Sequence, residues 1–276
     1  MKNESVLAIA LSIAVPNVVF ASNNHAHNNV KEHASDVKAL TLYGPQSPRD
    51  IDSEKGHNPI IFSKAPKRSV LNLCNIHFHK NAEHRGGEFT KPVKAGSSQA
   101  GFLYSGQLSE YERQPLEQAI CQNNDDGLNS GDTIELHYVY TTAPVQPGAT
   151  LGACLSEHIK NPQLRVEAQV MVLTNDGYGE NFNTLSEFAQ VDGYYQAVNL
   201  PTKTGTPVEY TGSTTGPSYN DKSSPFKVTW SVRPKVLKTD INSVAKWCKQ
   251  NPFNETAAHG VRDLVTAPEH LSPMLQ

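Results

Sequence analysis

No two cysteines of this chain stand in a Cys-x-x-Cys pair, which argues against a zinc site built on thiolates. An excess of charge of one sign is also lacking. Lys and Arg number 24 against 27 Asp and Glu, for a net charge of -3 and a pI of about 6.4. That balance leaves no electrostatic footprint for nucleic acid or for an anionic lipid surface. No apolar run reaches the length of a bilayer span, the amino-terminal stretch included, and no internal repeat is visible. What is present suits an ordinary folded domain. The 276 residues are 37% hydrophobic, enough for one sizeable core. Eighteen Gly and eighteen Pro, many in turn-forming pairs, lean toward a strand-rich fold with frequent connections.

The amino terminus has the layout of a secretory signal. Lys2 precedes a mostly apolar run over residues 6–20, and Val19-Phe20-Ala21 sets a small residue before Ser22. Pro16 and Asn17 interrupt the run, which is shorter than the ~20 residues of a membrane span. Residues 1–21 are therefore expected to be a cleaved signal peptide, with no membrane span left after its removal. The mature chain is expected in the periplasm or outside the cell. Residues 22–38, polar and carrying His25, His27 and His33, are expected to be a disordered linker. Residues 39–276 form the single domain. Four cysteines, Cys74, Cys121, Cys154 and Cys248, fit an exported chain with two disulfides, and three pairings are open.

Strand-like alternation recurs at 70–79, 133–140, 164–173, 194–200 and 226–232, rich in Val, Ile, Tyr and Phe. Helices are expected over 109–121 and after Asp240, where Ile241, Val244, Trp247 and Cys248 repeat at helical spacing. The fold class is mainly β, with a few peripheral helices.

Two of these strands carry histidines on one face. In Asn75-Ile76-His77-Phe78-His79, alternate side chains share a face, so His77 and His79 project together, ~7 Å apart along the strand. In Thr133-Ile134-Glu135-Leu136-His137-Tyr138-Val139, Glu135 and His137 do the same. Three imidazoles can converge on one ion and leave a fourth tetrahedral position open, the catalytic form of a zinc site. A ligating histidine needs its other nitrogen tied to an acceptor, a role that suits Glu135 for His137 and Asn75 for His77. Such a donor set favours Zn²⁺ over Co²⁺, Fe²⁺ or Cd²⁺ on affinity and availability.

The succession His77-Phe78-His79, Glu83-His84 and Glu135-Leu136-His137 resembles the zinc-site strands of carbonic anhydrases of the alpha class. Gln46-Ser47-Pro48-Arg49-Asp50-Ile51 upstream, and Gly212-Ser213-Thr214-Thr215-Gly216-Pro217 with Val228-Thr229-Trp230 downstream, resemble further segments of that family in the same order. The run from Asn72 to His84, and Gly152-Ala153-Cys154-Leu155-Ser156-Glu157, are similar to the delta class in its bacterial branch. So are Trp247-Cys248 and His259-Gly260-Val261-Arg262.

The resemblance implies a central twisted, largely antiparallel sheet with the metal in a conical cleft. It implies zinc on His77, His79 and His137, with Glu135 and Asn75 behind them. It further implies reversible hydration of carbon dioxide to bicarbonate and a proton, with a zinc-held hydroxide oriented by Thr215 and Glu83. Val139, Thr214 and Trp230 would line the carbon dioxide pocket, and Thr214 stands where the family has leucine. The segment that carries the alpha-class proton shuttle is missing. His57 and His84 are the nearest substitutes, and neither is assigned that role. Two other readings remain open. In a cupin, Glu83 would itself be a ligand, usually for iron or manganese. A non-catalytic zinc-binding module would use the same scaffold without turnover. Oligomeric state is not legible in the sequence.

Overall fold

The alternating runs become the strands of one central sheet in the computed structural model, which describes residues 43–94, 100–123, 126–214 and 226–274. The chain divides into two units, 1–40 and 41–276, and the described residues belong to the second. The expected signal peptide and the His-containing linker lie outside the described residues.

In chain order the strands are β1 (Asn72–Lys80), β2 (Lys91–Pro92), β3 (Phe102–Leu103), β4 (Ile120–Asn123), β5 (Asp126–Leu128) and β6 (Thr133–Thr141). There follow β7 (Leu164–Thr174), β8 (Phe188–Val191), β9 (Tyr194–Ala197), β10 (Val208–Thr214) and β11 (Phe226–Asp240). Five of them pair in the order β1-β6-β7-β11-β10, and the other six form three two-stranded hairpins. The sheet is mixed. Only β7 and β11 run parallel; the other three pairings are antiparallel.

Register decides what each face carries. His77 stands opposite His137, and His137 opposite Ala168. Val139 stands opposite Val166, and Val166 opposite Trp230. These residues therefore share one face of the sheet. The other face carries Phe78, Leu136, Tyr138 and Met171, packed under α1 (Phe182–Leu185) and α2 (Ile241–Lys249). There Phe78, Phe182 and Trp247 meet at ring centroid distances of 5.1–5.9 Å, the edge-on spacing aromatic rings prefer.

A register shift between Leu73 and Asn75 makes Cys74 the extra residue of a bulge. Such a bulge re-aims the side chains beyond it, and Asn75 here falls on the same face as His77 and His79. Pro234 lies within a second irregularity of β11, between Arg233 and Leu237. Beyond Val232, β11 has no β10 partner, so the missing N–H of the proline leaves no ladder bond unmade there.

Asp240 caps α2 as its position suggested, accepting from the amides of Asn242 and Ser243. The helix expected over 109–121 is absent. Ser109 and Glu112 cap each other, and one turn closes from Arg113 N–H to the Ser109 carbonyl at 3.2 Å. Pro115 then lacks the N–H a second turn requires, and the segment enters β4 instead. The two disulfides are Cys74–Cys154 and Cys121–Cys248. Among the described residues, no helix is long and apolar enough to cross a membrane.

Candidate metal centre

Three of the sequence-selected histidines come together on one face of the sheet. His77 and His79 come from β1, His137 from the neighbouring β6, and one nitrogen of each lies within 4.8 Å of the others. Hydrogen bonding fixes which nitrogen that is. Asn75 donates its amide N–H to the Gly148 carbonyl at 3.0 Å, which turns its Oδ1 toward His77 Nδ1 at 2.6 Å. His79 Nδ1 donates to the Gly260 carbonyl at 2.9 Å. His137 Nε2 lies 2.8 Å from Glu135 Oε1, and an ionised carboxylate can only accept.

The remaining nitrogens, His77 Nε2, His79 Nε2 and His137 Nδ1, are then all lone pairs facing one another. His77 Nε2 and His137 Nδ1 stand 3.3 Å apart with no proton between them. Two facing lone pairs repel, whereas an ion between them attracts both. That spacing is the edge of a tetrahedron whose bonds are ~2.0–2.1 Å, the zinc–imidazole length.

Electrostatics favour the neutral form of His77 and His79, the form a metal ligand must take. Burial first, then the neighbouring His137, holds His77 well below its usual value. Burial likewise lowers His79 to about 4, against the raising influence of Glu83.

Behind the cluster, Glu135 is fully committed. Oε2 accepts from the Glu83 and His84 backbone amides at 2.7 and 3.1 Å, while Oε1 accepts from His84 Nδ1 and His137 Nε2 at 2.6 and 2.8 Å. Four donors occupy the four lone-pair positions of the carboxylate. His84, Glu135 and His137 could by proximity form a second metal group. Their hydrogen bonds make them a relay instead, extended by the Tyr210 hydroxyl 2.7 Å from His84 Nε2. His84 is completely buried in that relay, so it is closed to the proton-exit role its sequence position left open. His57 is exposed.

Glu83 is not among the cluster's ligands. Arg262 grips it with Nε on Oε1 at 3.1 Å and Nη2 on Oε2 at 2.9 Å, and stacks over Trp230 at 5.5 Å. Burial raises the Glu83 carboxyl, but the Arg262 guanidinium, followed by His79, outweighs it and holds the group well below the usual carboxylate range. A glutamate so engaged does not fit the cupin pattern, in which it binds the metal.

Val139 is buried one step along β6 from His137 on the same face, and the Trp230 ring lies 5.2 Å from that of His137. Thr214 ends β10, but its side chain lies outside the described residues, as does all of Thr215. Sequence reasoning gave no role to Gly260, Arg262 or Tyr210. The His259-Gly260-Val261-Arg262 similarity marked two of them, yet a carbonyl acceptor has no sequence signature of its own.

A family model described as delta carbonic anhydrase matches residues 68–243, well over half of the chain. No curated protein matches. Among solved structures, a hyperthermostable carbonic anhydrase from an active hydrothermal vent chimney is 15% identical over 83% of this chain and 86% of that one, with a TM-score of 0.28. The alpha-carbonic anhydrase of Thermovibrio ammonificans in complex with the inhibitor sulfanilamide is 15% identical over 81% and 84%, with a TM-score of 0.29.

Proposed function

The chain belongs to the delta carbonic anhydrase family, and from that premise we propose that His77, His79 and His137 hold Zn²⁺ for the reversible hydration of carbon dioxide to bicarbonate and a proton. The observation that carries this reading is the set of three inward lone pairs, each forced by a hydrogen bond on the opposite nitrogen. When bound there, zinc acidifies water enough to supply hydroxide near neutral pH, the property for which carbonic anhydrases are the type case.

The chain's own residues supply orientation. Glu83, kept ionised by Arg262, can only accept, so a Thr215 hydroxyl bonded to it must donate. Thr215 then has only lone pairs to offer the nucleophile, which fixes the direction from which a carbon atom can be met. Arg262 donates to Glu83 Oε1 from both its backbone N–H and Nε and to Oε2 from Nη2, so the acceptor capacity left for the hydroxyl is on Oε2. Val139 and Trp230 would form the wall beside that position. Carbon dioxide is small and apolar, and a mostly apolar wall serves it better than hydrogen-bond donors would.

The disulfides fit an oxidising compartment. Together with the signal-like amino terminus they support action in the periplasm or outside the cell. Stopped-flow hydration of carbon dioxide, before chelation, after chelation and after reloading with zinc, tests the reading. Activity should vanish with the metal and return with zinc. A folded, zinc-loaded chain without activity would instead support a zinc-binding module that does no chemistry.

A further inference from the structure

The sheet face opposite the metal centre is not apolar throughout. Toward the β10 side it carries Arg165 and Glu167 of β7, Ser231 and Arg233 of β11, and Glu209 of β10, with Glu167, Ser231 and Glu209 in register. Between this stretch and the β8–β9 hairpin lies a cleft of about 660 Å³. Its carboxylates are already engaged. Glu167 Oε1 accepts from Arg165 Nε at 2.9 Å, and Oε2 accepts from Ser231 Oγ at 2.7 Å and Arg233 Nη1 at 3.0 Å. Glu209 is paired with Arg165 and Lys64.

The cations are not used up. The Arg233 side chain is only 9% exposed, and its Nε has no hydrogen-bond partner among the described residues. Arg233 lines the cleft, and of its five N–H donors Glu167 takes one, at Nη1. Lys67 and Arg68 add positive charge at the rim, against the further carboxylate of Asp192. The hairpin wall is apolar. Val191 and Val198 line the cleft while remaining 43% and 46% exposed, a poor situation for valines unless something covers them.

We propose that this cleft is a second ligand site, on the far face of the sheet from the metal, for a small organic carboxylate. Its carboxylate pairs with Arg233, and its apolar body lies against Val191 and Val198. A guanidinium fork matches a carboxylate in shape as well as in charge, which selects this ligand class over a neutral one. The site is independent of the reaction assigned to the metal centre.

Benzoate is a suitable probe, with inorganic phosphate as the control anion. Titrated into the ¹⁵N-labelled, zinc-loaded full chain, benzoate should give saturable shifts at the amides of residues 191–198 and 231–233. Phosphate should bind more weakly, lacking an apolar body. Arg233→Gln should weaken benzoate about tenfold and leave carbon dioxide hydration unchanged. Val198→Asp, on the exposed wall, should weaken it similarly and serves if the arginine variant does not fold. Shifts confined to residues around His77 and His137, or shifts that never saturate, would overturn the proposal. So would equal binding by Arg233→Gln or Val198→Asp. Phosphate binding as tight as that of benzoate would overturn the role given to the apolar wall.

Discussion

His84 Nδ1 lies 2.6 Å from Glu135 Oε1, and both side chains are fully buried. The same oxygen holds His137 Nε2 at 2.8 Å, so one carboxylate oxygen couples an interior histidine to one of the three clustered histidines. Neither histidine can move without leaving a buried charge short of a donor.

His84→Phe removes that donor and also strands the Tyr210 hydroxyl. Loss of a buried hydrogen bond to a charged group costs about 2–3 kcal/mol, read by urea unfolding. Zinc affinity should fall as well, by about tenfold or more, because Glu135 no longer sits firmly behind His137. Unchanged stability together with unchanged affinity would mean the relay supports nothing.

Asn75→Ala tests the second support. The bulge at Cys74 puts Asn75 on the metal face, where its Oδ1 selects the His77 tautomer with Nε2 free. Without it, zinc affinity measured by chelator competition should drop about 10–100-fold, with the chain still folded. Affinity equal to wild type would show that His77 needs no such partner.

The Glu83–Arg262 pair gives a pH dependence. Glu83 titrates well below its ordinary value of 4.5 in the fold, so its stabilising contribution is complete above that value and is lost as pH falls below it. Glu83→Gln should therefore flatten the acid limb of the melting temperature against pH. The same variant should lose carbon dioxide hydration on the order of 10²-fold, because Thr215 is no longer compelled to donate in one direction. An acid limb as steep as that of the wild type would assign the acid sensitivity to other carboxylates.

The Cys121–Cys248 disulfide joins β4 to α2 across 127 residues, in the core on the sheet face opposite the histidine cluster. Replacing both cysteines with serine should lower stability by up to about 4–5 kcal/mol on loop-closure grounds and leave the zinc content of the folded fraction intact. Loss of zinc from well-folded variant protein would contradict that separation.

The strands were legible because a half-buried strand writes its two faces into alternate residues, as 133–140 and 164–173 do. The histidine pair on β1 and Glu135-x-His137 on β6 were readable for the same reason. A period of two puts them on one face whatever the rest of the chain does. The expected helix over 109–121 failed on Pro115, whose missing N–H outweighs the good helix formers around it. β10 was not expected as a strand, because Gly212 and the Ser and Thr after it look like a turn until β11 supplies a partner. Gly260 and Arg262 reach the centre only because residue 259 pairs with the edge of β1, where His259 N–H donates to the Phe78 carbonyl at 2.9 Å. Such a contact, made by chain about 180 residues further on, has no local signal. The charged back face of β7 and β11 alternates like a solvent-facing strand, yet Glu167 and Arg233 are buried there.

The central claim is that three neutral histidines hold one zinc and that this zinc is required for carbon dioxide hydration. Zinc per chain and stopped-flow hydration, measured on the same samples of wild type and His137→Ala, test it most directly. The account predicts one zinc and rapid hydration in the wild type, with both lost in a variant that remains folded. Full zinc occupancy and undiminished hydration in His137→Ala would contradict it.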